Sequence, residues 1–138
     1  MHTMKENVAE AVKNYQSGYT CSQAVICAYA DKIGLDRETA FRMFEGFGAG
    51  FGGLQEVCGA FSAAAAVISY STSDGKLNGS QSKQTTFVKI KEAASAFEEK
   101  FSSIVCRDVL SGEKPQPLKC GEKVRIAAEL VEEFSDLH

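Results

Sequence analysis

Five cysteines and almost no imidazole set the chemistry open to this chain. Cys21, Cys58, Cys106 and Cys120 are spread along 138 residues, with Cys27 as a fifth. The two histidines, His2 and His138, lie at the chain ends. An interior without imidazole has neither the base for serine-type acyl transfer nor the ligand for a mixed Cys/His zinc site. Sulfur must therefore carry any chemistry. A thiolate is both the nucleophile of disulfide exchange and a ligand for soft metals, so the same residues are open to two mechanisms.

The spacings are 37 residues from Cys21 to Cys58, 48 from there to Cys106 and 14 more to Cys120. No CxxC pair occurs, which argues against a thioredoxin-type motif or a ribbon-type zinc site. Local context gives the four a common character, because each falls where a helix is predicted to begin or a turn to end. Unpaired N–H groups at such a position favour thiolate over thiol, and Arg107 and Lys119 stand beside Cys106 and Cys120. Cys27 lies about 9 Å along the axis from Cys21 on the same helix. That is beyond the roughly 7 Å limit for a bridge, so Cys27 reads as a buried apolar side chain.

The elements that must position these sulfurs read as helices throughout. Val8, Ala11, Val12 and Tyr15 recur at helical spacing over 3–16. Thr20-Cys21-Ser22-Gln23 fits a capping box, with Thr20 as N-cap and Gln23 at N3, opening a helix that runs to Gly34. Asp36 caps a third, over 37–45. Gly46 to Gly53 places five glycines in eight residues and reads as a loop. An alanine-rich helix over 57–71 follows, small-sided enough to sit centrally. After a polar stretch over 72–83, a long amphipathic helix spans 84–102 with a short continuation over 104–110. Pro115 and Pro117 break the chain before a last helix over 121–134. The expectation is an all-α, single-domain bundle of about five to six helices over 1–138, with a Gly-rich loop before a central Ala-rich helix.

Composition narrows the setting. At 44% hydrophobic and 24% charged, the chain is long enough to hold a core without disulfide staples. Net charge is −3 with the cations dispersed, which argues against nucleic-acid binding. The most apolar stretch, 57–68, is too short to span a bilayer, and the chain start has no apolar export segment. A cytoplasmic location is expected, where thiols stay reduced.

The ordered motifs resemble the redox-active family named for its spaced cysteines and CGAxxG motif, C_GCAxxG_C_C. They are Gly18-Tyr19-Thr20-Cys21-Ser22-Gln23-Ala24-Val25, the run Gly46 to Gly53, Val57-Cys58-Gly59-Ala60, Cys106-Arg107-Asp108-Val109-Leu110 and Cys120. One departure is Ala63, where the motif ends in glycine. The resemblance implies redox work by Cys21, Cys58, Cys106 and Cys120, and leaves out Cys27. It extends to a helical module to which an iron–sulfur centre has been attributed.

Three readings follow. The first is a thiol redox protein in which Cys58 or Cys21 attacks a disulfide or other oxidised acceptor, and Cys106 with Cys120 resolves or recycles. Its partner is a redox protein or a small oxidised acceptor. In the second, the same four sulfurs hold zinc or a [2Fe–2S] cluster, with Gly48, Gly50, Gly52, Gly53 and Gly59 offering N–H groups to sulfur or an anion. The third is a non-catalytic helical interaction protein, a homodimer among its forms. Gly48-Ala49-Gly50-Phe51-Gly52-Gly53 formally matches G-x-G-x-x-G, but a helix precedes it where that fingerprint needs a strand. Phe47 and Phe51 are expected to pin the loop to the core, and Glu45 and Glu56 to be solvated.

Overall fold

Small side chains set the architecture. Helix α5 (Gly59–Thr72) packs against α2 (Cys21–Tyr29), α6 (Lys83–Phe101) and α8 (Cys120–Phe134). Ala60, Ala63 and Ala64 have no exposed surface, and their methyl groups let three neighbours come close to the α5 backbone. The sequence expectation of a central alanine-rich helix is met. Ala63, in place of the motif glycine, simply fills core space. The computed structural model describes residues 4–111 and 120–137.

The remaining elements are α1 (Met4–Gln16), α3 (Arg37–Phe44), a single turn α4 (Gly48–Phe51) and α7 (Cys106–Ser111). Helix α1 lies against α2 and α8. The chain is all-α: among the described residues there is no strand, only an isolated antiparallel bridge between Val57 and Val105. Val25, Ile26, Val67, Ile68, Phe97, Val124 and Val131 are sealed between α2, α5, α6 and α8 as one core. No helix among the described residues is long and apolar enough to cross a membrane.

Most helix ends fall within two residues of the sequence reading, α5 starting at Gly59 rather than at 57, and three features depart further. Helix α2 stops at Tyr29, and Ala30–Ile33 tightens into a 3-10 turn closed by left-handed Gly34. That arrangement satisfies the last carbonyls, since the Gly34 N–H donates to Ala30 O and Asp31 O. The 104–110 segment is a separate helix, α7, rather than a continuation of α6, because Ser102 turns left-handed at φ 70° and ends α6. The glycine-rich run is more ordered than a loop. Ala49, Gly50, Phe51, Gly52 and Gly53 all have positive φ, between 52° and 86°, which makes a turn of left-handed screw sense. Only glycine takes this conformation without cost.

Candidate functional site

The capping box at α2 is present as the sequence implies. The Thr20 N–H donates to Gln23 Oε1 at 3.0 Å, and the Gln23 N–H donates to Thr20 Oγ1 at 3.2 Å. Ser22 Oγ donates to Phe44 O at 2.6 Å and Gln23 Nε2 to Phe41 O at 3.0 Å, tying the head of α2 to the end of α3. Gly48 comes so close that a β-carbon there would sit 2.9 Å from Thr20 Cβ. These contacts hold Cys21, the first residue of α2, in one place.

Cys58 and Cys106 are set by a different device. The Cys58 N–H donates to Ile104 O at 2.8 Å, the Cys106 N–H to Glu56 O and the Arg107 N–H to Gln55 O at 3.0 Å. This short antiparallel pairing around Val57 and Val105 places the N-cap of α5 beside the first residue of α7. Cys58 and Cys106, 48 residues apart in sequence, are neighbours because each follows directly on a bridge residue.

Cys21, Cys58 and Cys106 line one cavity of about 430 Å³, together with Tyr15, Tyr19, Thr20, Glu45, Gly48, Ala49, Gly59 and Lys123. All three thiols are buried, at 8%, 1% and 4% exposure, and none of them is joined in a disulfide. Gly59 is the tightest point of the wall. A β-carbon there would stand 2.5 Å from Phe47 O and 3.0 Å from Cys21 Sγ. Cys120 opens α8, three residues before Lys123, but its side chain lies outside the described residues. So does Lys119, and so does the turn at Pro115 and Pro117.

The electrostatics of Cys58 run against the sequence expectation. Burial pushes its thiol up to about 11, outweighing the Phe61 and Ala60 N–H groups and the Lys123 ammonium, which favour thiolate; Cys21 adds to the rise. A helix start alone does not make a thiolate when the site is dry. Cys27, by contrast, stands apart from the cavity. Its Sγ lies 3.8 Å from Arg37 O, and burial raises its pKa against the attraction of Arg37.

Of the glycines proposed to face a cofactor, Gly48 and Gly59 line the cavity. Gly50 is buried under the backbone of Gln55 and Glu56, while Gly52 and Gly53 are exposed and serve the left-handed turn. Phe47 is half-buried and stacks between Phe44 and Phe51 with centroids 5.0 and 4.9 Å away, so it pins the turn as expected. Glu56 pairs at the surface with Arg107 at 3.3 Å. Glu45 reaches the cavity mouth.

Three lining residues escaped the sequence reading: Tyr15, Tyr19 and Lys123. Lys123 is 2% exposed. Its signal was available, since it sits at i, i+4 and i+7 spacing with the buried Ala127 and Leu130 of α8. A cation on the apolar stripe of a helix marks a place where something other than packing is at work.

A zinc ion or [2Fe–2S] cluster would draw on Cys21, Cys58, Cys106 and Cys120. Among the described residues no three His, Cys, Asp or Glu side chains come together at metal-binding range. The described donors do not fit such a group as they stand.

A family model described as "Putative redox-active protein (C_GCAxxG_C_C)" matches residues 19–134, a span that contains all four motif cysteines and every described cavity residue except Tyr15. Comparison with curated proteins and with solved structures gave no match.

Proposed function

Because the chain belongs to the redox-active C_GCAxxG_C_C family, we propose that it acts as a thiol redox protein passing two electrons to a disulfide. The observation that supports this reading is the common cavity of Cys21, Cys58 and Cys106, reached from the N-terminal ends of three separate helices. Cys21 is the most accessible of the three and makes the first attack. Its thiolate forms a bond to one substrate sulfur, the substrate S–S bond breaks, and the departing thiolate takes up a proton. Cys58 then loses its proton and attacks Cys21 Sγ, expelling the second substrate thiol. The protein finishes with a Cys21–Cys58 disulfide and the substrate as two thiols. Cys106, on the same wall, and Cys120 form the recycling pair in this reading.

The deep position of Cys58 gives the second step its character. A thiol held near 11 is a slow resolver at neutral pH, so the mixed disulfide on Cys21 is long-lived and the second step accelerates with pH. Mild oxidation of the anaerobically purified protein, with thiol titration and peptide mapping, tests this. The expected result is a loss of two thiols and a peptide linking Cys21 to Cys58. In Cys58→Ser the reaction should stop at a mixed disulfide on Cys21. An unchanged thiol count in the unmodified protein defeats the reading, and stoichiometric iron or zinc with visible charge-transfer bands replaces it with coordination.

A further inference from the structure

A second cavity, of about 780 Å³, runs between α1 and α8 and is nearly twice the size of the thiol cavity. Val8, Ala9 and Val12 of α1 line it. The two valines are only half-buried and Ala9 is exposed. Apolar side chains gathered in an open groove mark a contact surface, where the same residues scattered singly do not. The two helices run antiparallel. The Asn7 side chain, near the start of α1, donates to Glu132 Oε2 near the end of α8 at 3.4 Å. At the other end Tyr15 lies 4.0 Å from where a Gly121 β-carbon would stand. The charged lining therefore separates by sign. Lys13 and Arg125 occupy the end where α1 closes and α8 opens, and Glu132 and Glu133 occupy the other. Arg125 is held by Glu122 at 2.6 Å and Glu129 at 2.8 Å, and Glu132 accepts from Tyr29 at 2.5 Å. Lys13 at one end and Glu133 at the other are exposed.

We propose that this groove is the contact surface for a second copy of the chain, the two grooves meeting end for end across a two-fold axis. A surface with a cationic end and an anionic end is complementary to itself once reversed. The cationic end of each copy then covers the anionic end of the other, and the valines and Ala9 of both meet between them. A foreign partner needs a matching charge pattern of its own, whereas a second copy has it by construction. The net charge of −3 on each chain opposes pairing at long range, so the attraction is local and weakens with salt. Helices of 13 and 15 residues offer a face about 20 Å square, about 400 Å² in projection and below the roughly 800 Å² per partner of a standard interface. The dimer is accordingly a weak one, with a Kd of about 0.1 mM. The inference stands independently of the thiol-redox reading.

The test is sedimentation velocity over a range of about 10 µM to 1 mM, with a phosphine reductant present to exclude disulfide-linked pairs. The unmodified protein should shift from monomer to dimer across that range. Self-association should weaken about fivefold or more in Lys13→Glu, and likewise in Glu133→Lys, because each brings like charges together. An equimolar mixture of those two variants should restore it, since Glu at 13 then faces Lys at 133 and the native pair is kept at the other end. A merely structural role for either residue does not predict that rescue. Ala9→Arg, at an exposed position and with helicity checked by circular dichroism, should abolish the dimer. A protein that stays monomeric throughout leaves the groove to another occupant and overturns the inference. So does an association unchanged in Ala9→Arg, or a mixture that associates no better than its components.

Discussion

Helix α2 carries a cysteine near each end, and the two have opposite surroundings. Cys21 begins the helix beside a cavity shared with two further thiols and a lysine. Cys27, six residues on, faces the Arg37 carbonyl, within a cross-link in which Arg37 donates to Glu10 at 3.1 Å and to Asn14 at 2.8 Å. Both are buried, so burial alone does not separate the two. The difference is the backbone. At Cys21 a cap, a glycine contact and two more helix starts converge. At Cys27 the helix simply continues through the core. On the proposed function, what sets Cys21 apart from Cys27 is the company its helix end keeps.

The sharpest way to break that contrast is to fill the wall between the thiols. Gly59→Ala places a methyl 2.5 Å from Phe47 O and 3.0 Å from Cys21 Sγ. Backbone cannot yield as a flexible side chain does, so the expected loss is about 3 kcal/mol or more in chemical denaturation, with Cys21 oxidation disrupted in whatever folds.

Next in size is a pH effect confined to the cavity end. The Cys58 pKa is raised on folding, from 9.0 to about 11, so its contribution is fully present below pH 9 and is lost as pH climbs through 11. That amounts to about 3 kcal/mol at the alkaline limit. Denaturation of the unmodified protein and of Cys58→Ala at pH 8, 10 and 11 should reveal it as a narrowing gap between the two. A gap that stays constant over that range refutes the buried-thiol account.

The opposite end of α2 responds in stability only. Cys27→Ser puts a hydroxyl into a thiol-sized space beside Arg37 and should cost about 1–2 kcal/mol, with the oxidation stoichiometry unchanged. If Cys27→Ser alters the number of thiols lost, the separation of the two ends is wrong. Smallest of all, Glu56→Gln removes an ion pair with Arg107 whose side chains are both 57% exposed. It should change the unfolding free energy read from chemical denaturation by less than about 0.5 kcal/mol.

Much of this was legible in the chain. The apolar periodicity, the Thr20-to-Gln23 box and the alanine content of α5 act over a few residues, and such short-range signals survive in sequence. The placement of Cys21, Cys58 and Cys120 at or beside helix starts was legible for the same reason, whereas Cys106 read as part of a continuing helix and proves to open α7. What sequence could not give was why Cys58 and Cys106 meet, because the pairing around Val57 and Val105 leaves no local mark. The protonation of Cys58 was hidden too. Helix dipole and desolvation oppose one another there, and only the fold fixes how dry the site is. Lys123 lay in plain view on an apolar stripe, but which cavity it serves depends on where α8 docks.

The turn from Ala49 to Gly53 has a consequence for how this protein can vary. Five successive residues wind against the natural hand of an L-amino-acid chain, so β-branched replacements are strongly disfavoured along the segment. Sequence drift in that stretch is confined to a handful of residue types, whatever freedom the surrounding surface enjoys. A designer who reverses the chirality of Ala49 alone, by inserting its D-enantiomer through chemical ligation, would relax the bend by roughly 1 kcal/mol and move one methyl of the cavity wall, every other lining side chain being left chemically unaltered.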